Sequence, residues 1–166
     1  MKKVIVINGR GGVGKDTLCE FAAKRYKVMN ISSITPIKEL AMQIGWDGAK
    51  DLRSRKFLSD LKQLTSEYND YPNNYLLRKC REFEKSEYEL LFVHIRESEQ
   101  IAHFIETSGC GAVTLLIRRG EAGVYGNASD DNVENYSYDL VYQNDLPLEE
   151  AESDFVRFLE EKLEDR

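Results

Sequence analysis

Val4-Ile5-Val6-Ile7-Asn8-Gly9-Arg10-Gly11-Gly12-Val13-Gly14-Lys15-Asp16-Thr17 is the stretch that decides the fold. Four β-branched residues in succession make a short buried strand, and the glycines that follow end it in a tight loop. Gly9, Gly14 and Lys15 stand at the spacing GxxxxGK. In that arrangement backbone N–H groups of the loop and of the next helix surround phosphate oxygens, while the lysine reaches the β- and γ-phosphates. Leu18, Phe21, Ala22 and Tyr26 then recur at helical spacing, so strand, loop and helix follow one another as the motif requires. The phosphate site accordingly takes in Gly9, Arg10, Gly11, Gly12, Val13, Gly14, Lys15, Asp16 and Thr17. The position after Lys15 is commonly Ser or Thr; here it is Asp16, with Thr17 one later. The usual hydroxyl ligand of Mg2+ is therefore missing. Either the Asp16 carboxylate holds the metal, directly or through water, or the loop binds phosphate and is a poor metal site.

The chain has 166 residues, 42% of them hydrophobic and 31% charged, which suits one globular domain with a single well-buried core. No run approaches the roughly eighteen apolar residues that span a bilayer. Met1-Lys2-Lys3 leads into only four apolar residues, so the start reads as a strand and not as a signal peptide. Cys19, Cys80 and Cys110 are far apart, odd in number and accompanied by two histidines. They suit a reduced cytosol better than a disulfide framework or a zinc site. A net charge of −6 argues against a nonspecific binder of nucleic-acid polymers or anionic membranes.

Beyond the loop, a helix is expected over residues 16 to about 25, and a short strand over 27–32. Thr35-Pro36 opens a helix whose apolar positions are Ile37, Leu40, Ala41 and Ile44, stopped by Gly45. A polar-rich helix over about 50–68 carries Leu52, Phe57, Leu58, Leu61 and Leu64 as its apolar positions. Asn69-Asp70-Tyr71-Pro72-Asn73-Asn74 gives the clearest loop signal, followed by a helix over about 75–85. Residues 88–95 and 112–117 read as buried strands flanking a helix over 96–108. Residues 120–137 lack periodicity and read as a mobile surface loop, lid-like from about 119. A last strand over 139–143 and a closing helix ending near 163 complete a βαβ alternation. The expected fold is therefore α/β, three layers with a five-stranded parallel sheet. Ligands in such folds sit at the carboxyl ends of the strands, which here carry the loop, Ser32-Ser33, His94 to Arg96, Arg118-Arg119 and Asn144-Asp145.

The Gly-Lys-Asp-Thr ending of the loop resembles that of a group of small P-loop kinases that includes phage-type deoxynucleoside monophosphate kinases and animal-type phosphomevalonate kinases. Ile34-Thr35-Pro36-Ile37-Lys38 resembles the group's Pro-apolar-Lys motif after the second strand. Val93-His94-Ile95-Arg96 with Glu99 resembles its strand-end motif, except that His94 takes the place of an Asp. Asp139-Leu140-Val141-Tyr142-Gln143-Asn144 resembles its final strand. The resemblance covers nearly the whole chain and implies a P-loop NTPase fold of the nucleoside monophosphate kinase type. It further implies that Lys38 and Arg96 face the acceptor's phosphate, and that a lid brings cations such as Arg118 and Arg119 onto the transferring group.

The expected chemistry is phosphoryl transfer from ATP, with Mg2+, to a small phosphorylated acceptor, a (deoxy)nucleoside monophosphate before an isoprenoid phosphate. Lys15, Asp16, Arg96, Arg118 and Arg119 are the candidate catalytic residues, with Asp16 also the metal candidate. Arg53, Arg55 and Lys56 could line the acceptor side, although a helical charge run is usually a solvated face. His94 could be a metal ligand or a pH-sensitive group, although a lone strand-end histidine is more often partly buried and satisfied, and His103 reads as a helix-surface residue. The rival readings are a nucleotide-binding regulatory module of the same fold and a phosphomevalonate-type kinase. A switch GTPase lacks support, because neither Asn-Lys-x-Asp nor a strand-end Asp-x-x-Gly is present. The setting expected is cytoplasmic; the sequence leaves the oligomeric state open.

Overall fold

A computed structural model describes residues 2–120 and 132–164. Five strands, β1 (Lys3–Gly9), β2 (Val28–Ser32), β3 (Leu90–His94), β4 (Val113–Arg118) and β5 (Leu140–Gln143), form one sheet in the order β2-β3-β1-β4-β5. All neighbours run parallel, with Val6 opposite Val93 on one side and Thr114 on the other. The helices are α1 (Lys15–Arg25), α2 (Thr35–Gln43), α3 (Leu52–Asn69), α4 (Tyr71–Glu84), α5 (Ser98–Ser108) and α6 (Leu148–Leu163).

Strand alternation explains the layers. Ile5, Ile7, Phe92, Leu115 and Ile117 pack under Leu18 of α1 and Phe155 and Leu159 of α6. Their neighbours Val4, Val6, Leu91 and Val93 face the other way, onto Leu76 and Phe83 of α4 and Phe104 of α5. Each such side chain, fully buried, contributes about 1.5–3 kcal/mol. Because β1 is covered on both faces, its four central residues can all be apolar. The chain leaves β1 toward β2 on one side and later crosses back from β3 to β4 on the other. The carboxyl end of β1 is thus the switch point where such sheets open a ligand crevice.

Three expectations are corrected. The loop signal at 69–74 collapses to a single residue, Asp70, which takes φ 57° between α3 and α4. Pro72 falls in the first turn of α4, where its missing N–H costs nothing, and Asn73 donates to Thr107 on α5 through Nδ2 at 2.9 Å. The residues that signalled a loop thus begin a helix. The apolar positions of α3 are also only partly covered: Leu52 and Leu64 are 81% and 65% exposed and Phe57, Leu58 and Leu61 half-buried, while Ser54 and Lys62 are buried. Finally, the described end of the 120–137 segment is packed down. Its 3-10 turn, Asn132–Asn135, carries Val133 at 0% exposure. The rest of the expected lid, residues 121–131, lies outside the described residues.

Candidate active site

The loop after β1 is held open by backbone geometry. Gly14 caps α1 at φ 88°, a left-handed value that costs a side-chain-bearing residue roughly 1–2 kcal/mol. A Cβ there would also lie 2.8 Å from Asn144 Nδ2. That amide, from the residue following β5, donates to the Val13 carbonyl at 2.8 Å, while the Asn144 backbone N–H donates to the Arg118 carbonyl at 2.7 Å. Gly9 is equally constrained by space, since a Cβ would meet the Ile117 carbonyl oxygen at 2.8 Å. Lys15 Nζ donates to the Gly9 carbonyl at 3.0 Å, reaching back across the loop it belongs to. The start of α1 and the Lys15 ammonium thus lie together just beyond the end of β1, an arrangement that suits an anion.

Asn8, 2% exposed, joins this loop to the next strand end. Its Oδ1 accepts the Gly9 N–H at 2.9 Å, and its Nδ2 donates to the Arg96 carbonyl at 3.0 Å and to the Tyr138 hydroxyl at 2.9 Å. Tyr138 in turn donates to the Val133 carbonyl at 2.8 Å. One buried amide thus links β1, the chain two residues beyond β3 and the segment that leads into β5.

A cavity of about 670 Å³ opens beside the loop, between the ends of β1, β2 and β3 and the helices α2, α3 and α5. Lys15, Lys38 and Arg96 all line it, so three of the residues singled out in the sequence come together. Arg55 lines it too, although the charge run it belongs to reads as a wet helix face. Asp16, Arg118 and Arg119 do not belong to its wall. Asp16 is exposed on the first turn of α1, close enough to His94 to act on its charge.

The sequence reading missed Lys62. Its side chain is 8% exposed, and Nζ donates to Ser33 Oγ at 3.0 Å and to Glu97 Oε2 at 2.9 Å. A buried ammonium is stable only when so partnered, and Glu97, 43% exposed, keeps one side in water. All three residues line the cavity. A lysine interrupting the apolar positions of an otherwise helical pattern was the available signal; its neighbours Leu61 and Leu64 masked it.

His94 shares a hydrogen bond with Asn30 Oδ1 through Nε2 at 3.1 Å. Burial lowers its pKa below the ordinary 6.5, Asp16 pulls it up and Lys15 pushes it down, so the ring is neutral near neutral pH. Arg118 makes a two-pronged pair with Glu134, from Nε at 3.1 Å and from a terminal nitrogen at 2.6 Å. This pair holds the Glu134 carboxyl below the usual carboxylate range, with Arg10 adding to the effect. Arg119 is exposed, near Asp145. Among the described residues no group of three or more His, Cys, Asp or Glu could by itself hold a metal ion. Mg2+ that arrives on a nucleotide's phosphates keeps several waters and takes one or two carboxylates, a need that the exposed Asp16 carboxylate on the first turn of α1 fits.

No family model and no curated protein matches the chain. Solved structures do. The chain aligns over 96% of its length with 96% of the tunicamycin resistance protein of Deinococcus radiodurans, at 12% identity and TM-score 0.57. It aligns over 99% of its length with 97% of a Chloroflexus aurantiacus protein whose kinase assignment is provisional, at 10% identity and TM-score 0.59. With a sugar kinase from a Janibacter species it shares 13% identity over 96% of this chain and 95% of that one, at TM-score 0.50. Likeness at such identities is likeness of fold. The fold is the three-layer α/β fold that these structures share, with the glycine-rich loop following the central strand β1. Among the described residues no helix is long and apolar enough to cross a membrane.

Proposed function

We propose that this protein is a small-molecule kinase that moves the γ-phosphoryl group of ATP onto an acceptor already carrying a phosphate, foremost a (deoxy)nucleoside monophosphate. The observation that carries the reading is one cavity into which the loop lysine Lys15 and four further cations, Lys38, Arg55, Lys62 and Arg96, all open. Its size, about 670 Å³, suits a ligand of nucleotide dimensions. The loop N–H groups and Lys15 hold the donor's phosphates; Lys38, Arg96 and Lys62 draw the acceptor's phosphate into line with them. The bond from the γ-phosphorus to its ADP oxygen breaks as a bond to an acceptor oxygen forms. Little covalent help is needed, because such transfers are catalysed by positioning and by neutralising charge. Mg2+, when bound, would be held by Asp16 and would supply neutralisation of the charge on the transferring phosphates. Arg118, tied to Glu134, orders the segment after residue 131, and Arg119 is the arginine left to approach the transferring group.

The test is ADP release from Mg-ATP across nucleoside and deoxynucleoside monophosphates and phosphomevalonate, with Lys15→Ala as the control. Acceptor-dependent release that this substitution abolishes supports the kinase and names its acceptor. Nucleotide binding without acceptor-dependent release across the whole panel supports instead a nucleotide-binding module. His94, neutral where the similar kinases carry an aspartate, favours that second reading. A cytoplasmic setting is part of the proposal.

A further inference from the structure

A second, smaller cavity of about 120 Å³ adjoins the main one. Ser33, Ser66, Ile95 and Gln100 line both, so the two spaces are neighbours across those side chains. Ser33 also receives the Lys62 ammonium at 3.0 Å, which places that cation beside the boundary. The small cavity lies between the join of α3 with α4 and one face of α5. Part of its wall is apolar and closed: Pro72, Leu76 and Ile95 are buried, the last two at 2% exposure. The rest is polar, with Asp70, Asn73, Glu99 and His103.

Asp70 is the most constrained member of this wall. It joins α3 to α4 at φ 57° and is the one non-glycine residue with a positive φ among the described residues. Glycine takes that conformation with less strain, so a carboxylate stands here against a conformational preference. Such outliers gather at ligand-binding positions. The side chain is also held in place. Its Oδ2 accepts from His103 Nε2 at 2.8 Å and from Asn73 Nδ2 at 3.3 Å. The same Asn73 amide donates to Thr107 Oγ1 at 2.9 Å, and Thr107 donates to the His103 carbonyl at 2.7 Å, so α4 and α5 fix the carboxylate between them. Both bonds fall on one oxygen. Oδ1 takes no hydrogen bond from the described residues.

We propose that the small cavity takes the base of the acceptor nucleotide, and that this base is a single ring with an exocyclic amino group, as in cytosine. The inference rests on the proposed nucleoside monophosphate acceptor and adds which base it carries. A volume of about 120 Å³ equals roughly four waters, which suits one six-membered ring better than a fused pair. Pro72, Leu76 and Ile95 supply apolar contact to the ring. An ionised carboxylate only accepts hydrogen bonds, so Asp70 Oδ1 calls for an N–H donor, with Glu99 a second acceptor in the same wall. Cytosine presents its amino group there. Uracil and thymine present a carbonyl oxygen at that position, which sets two acceptors against each other with no proton between them. The phosphate meanwhile stays with Lys38, Lys62 and Arg96 in the main cavity.

The experiment titrates the full-length chain with CMP, UMP, dTMP, AMP and GMP by calorimetry, with Mg2+ and a saturating non-hydrolysable ATP analogue filling the donor side. CMP is expected to bind about 10–100-fold more tightly than each of the others, the worth of a hydrogen bond to a charged group. Asp70→Asn keeps a residue that tolerates the left-handed backbone and replaces an acceptor by an amide that can donate. It should reverse the order, with UMP bound more tightly than CMP. A purely structural Asp70 would weaken all five ligands together. Circular dichroism checks that the variant is folded; if it is not, the order measured on the parent chain decides. The inference is overturned if the parent chain binds any of the other four as tightly as CMP, or if folded Asp70→Asn leaves the order unchanged. Binding of none of the five overturns the proposed acceptor, and this inference with it; binding without discrimination overturns this inference alone.

Discussion

Helices α1 and α3 each deliver a lysine to the same cavity, and they do so by opposite means. Lys15 is placed by local chain geometry: a glycine at φ 88°, a helix that starts immediately after it, and a carbonyl six residues back that receives its ammonium at 3.0 Å. Lys62 is placed by partners 29 and 35 residues away, Ser33 and Glu97, and by burial of a helix face that bears no conspicuous apolar stripe. The first arrangement is a property of a few consecutive residues. The second exists only once β2, α3 and the start of α5 have come together. On the proposed reading, a site assembled from both has a donor half legible along the chain and an acceptor half in which Lys62 must be seen.

The largest effect that would test this contrast is loss of the loop lysine. Lys15→Ala is expected to lower acceptor-dependent ADP formation by about 10³-fold while the fold is unchanged, since one well-placed charge on the transferring group is worth roughly that much. A comparable loss of thermal stability in the same variant would show that Lys15 is structural and would break the comparison. Next comes Lys62→Met, which should raise the acceptor's KM by about 10–100-fold, the worth of a charge-assisted hydrogen bond, with ATP affinity unchanged. Titration of each ligand separately tells the halves apart; an equal loss for ATP would place Lys62 on the donor side.

A smaller effect is expected where the donor half leans on long-range contacts after all. Asn144→Ala removes the donor to the Val13 carbonyl and should cost about 1–3 kcal/mol in urea unfolding, because that buried acceptor is left unpaired. The accompanying rise in KM for ATP should exceed any change for the acceptor. The smallest effect is that of pH at His94. Its folded pKa lies below the unfolded 6.5, so the unfolded chain takes up the proton first. The stability it contributes is complete above about pH 6.5 and is lost as pH falls through the lower folded value. Unfolding of His94→Gln compared with the parent at neutral and mildly acid pH should show a smaller acid loss in the variant; an equal or larger loss would mean that His94 is not neutral in the fold.

How much could be read in advance follows the same division. The strand before the loop, the loop spacing and the helix behind it were legible because their signals lie within one continuous stretch, Val4 to Tyr26. The parallel sheet was legible because strands buried on both faces are apolar throughout, as in Leu90 to Val93. The stretch from Asn69 to Asn74 misled because its residues favour both turns and helix starts, and only the packing of α4 on α5 through Asn73 and Thr107 decides between them. Leu52 and Leu64 misled because periodicity reports which residues share a face, without saying whether another element covers it. Arg55 was set aside with a charge run of a kind that is usually solvated, although a helix face can be wet and still form one wall of a cavity.

By itself the sequence determined the layered α/β fold and the glycine-rich loop that joins β1 to α1. Those features rest on chain-local spacing and on periodicities of two and 3.6 residues, which survive in a one-dimensional string. Only the tertiary structure decided that Lys62 is buried against Glu97, that Asn144 braces the loop from behind, and that Arg118 is claimed by Glu134. The physical reason is the same in each case. A buried polar or reactive group is defined by its partner, and here the partners lie between 16 and 131 residues away along the chain.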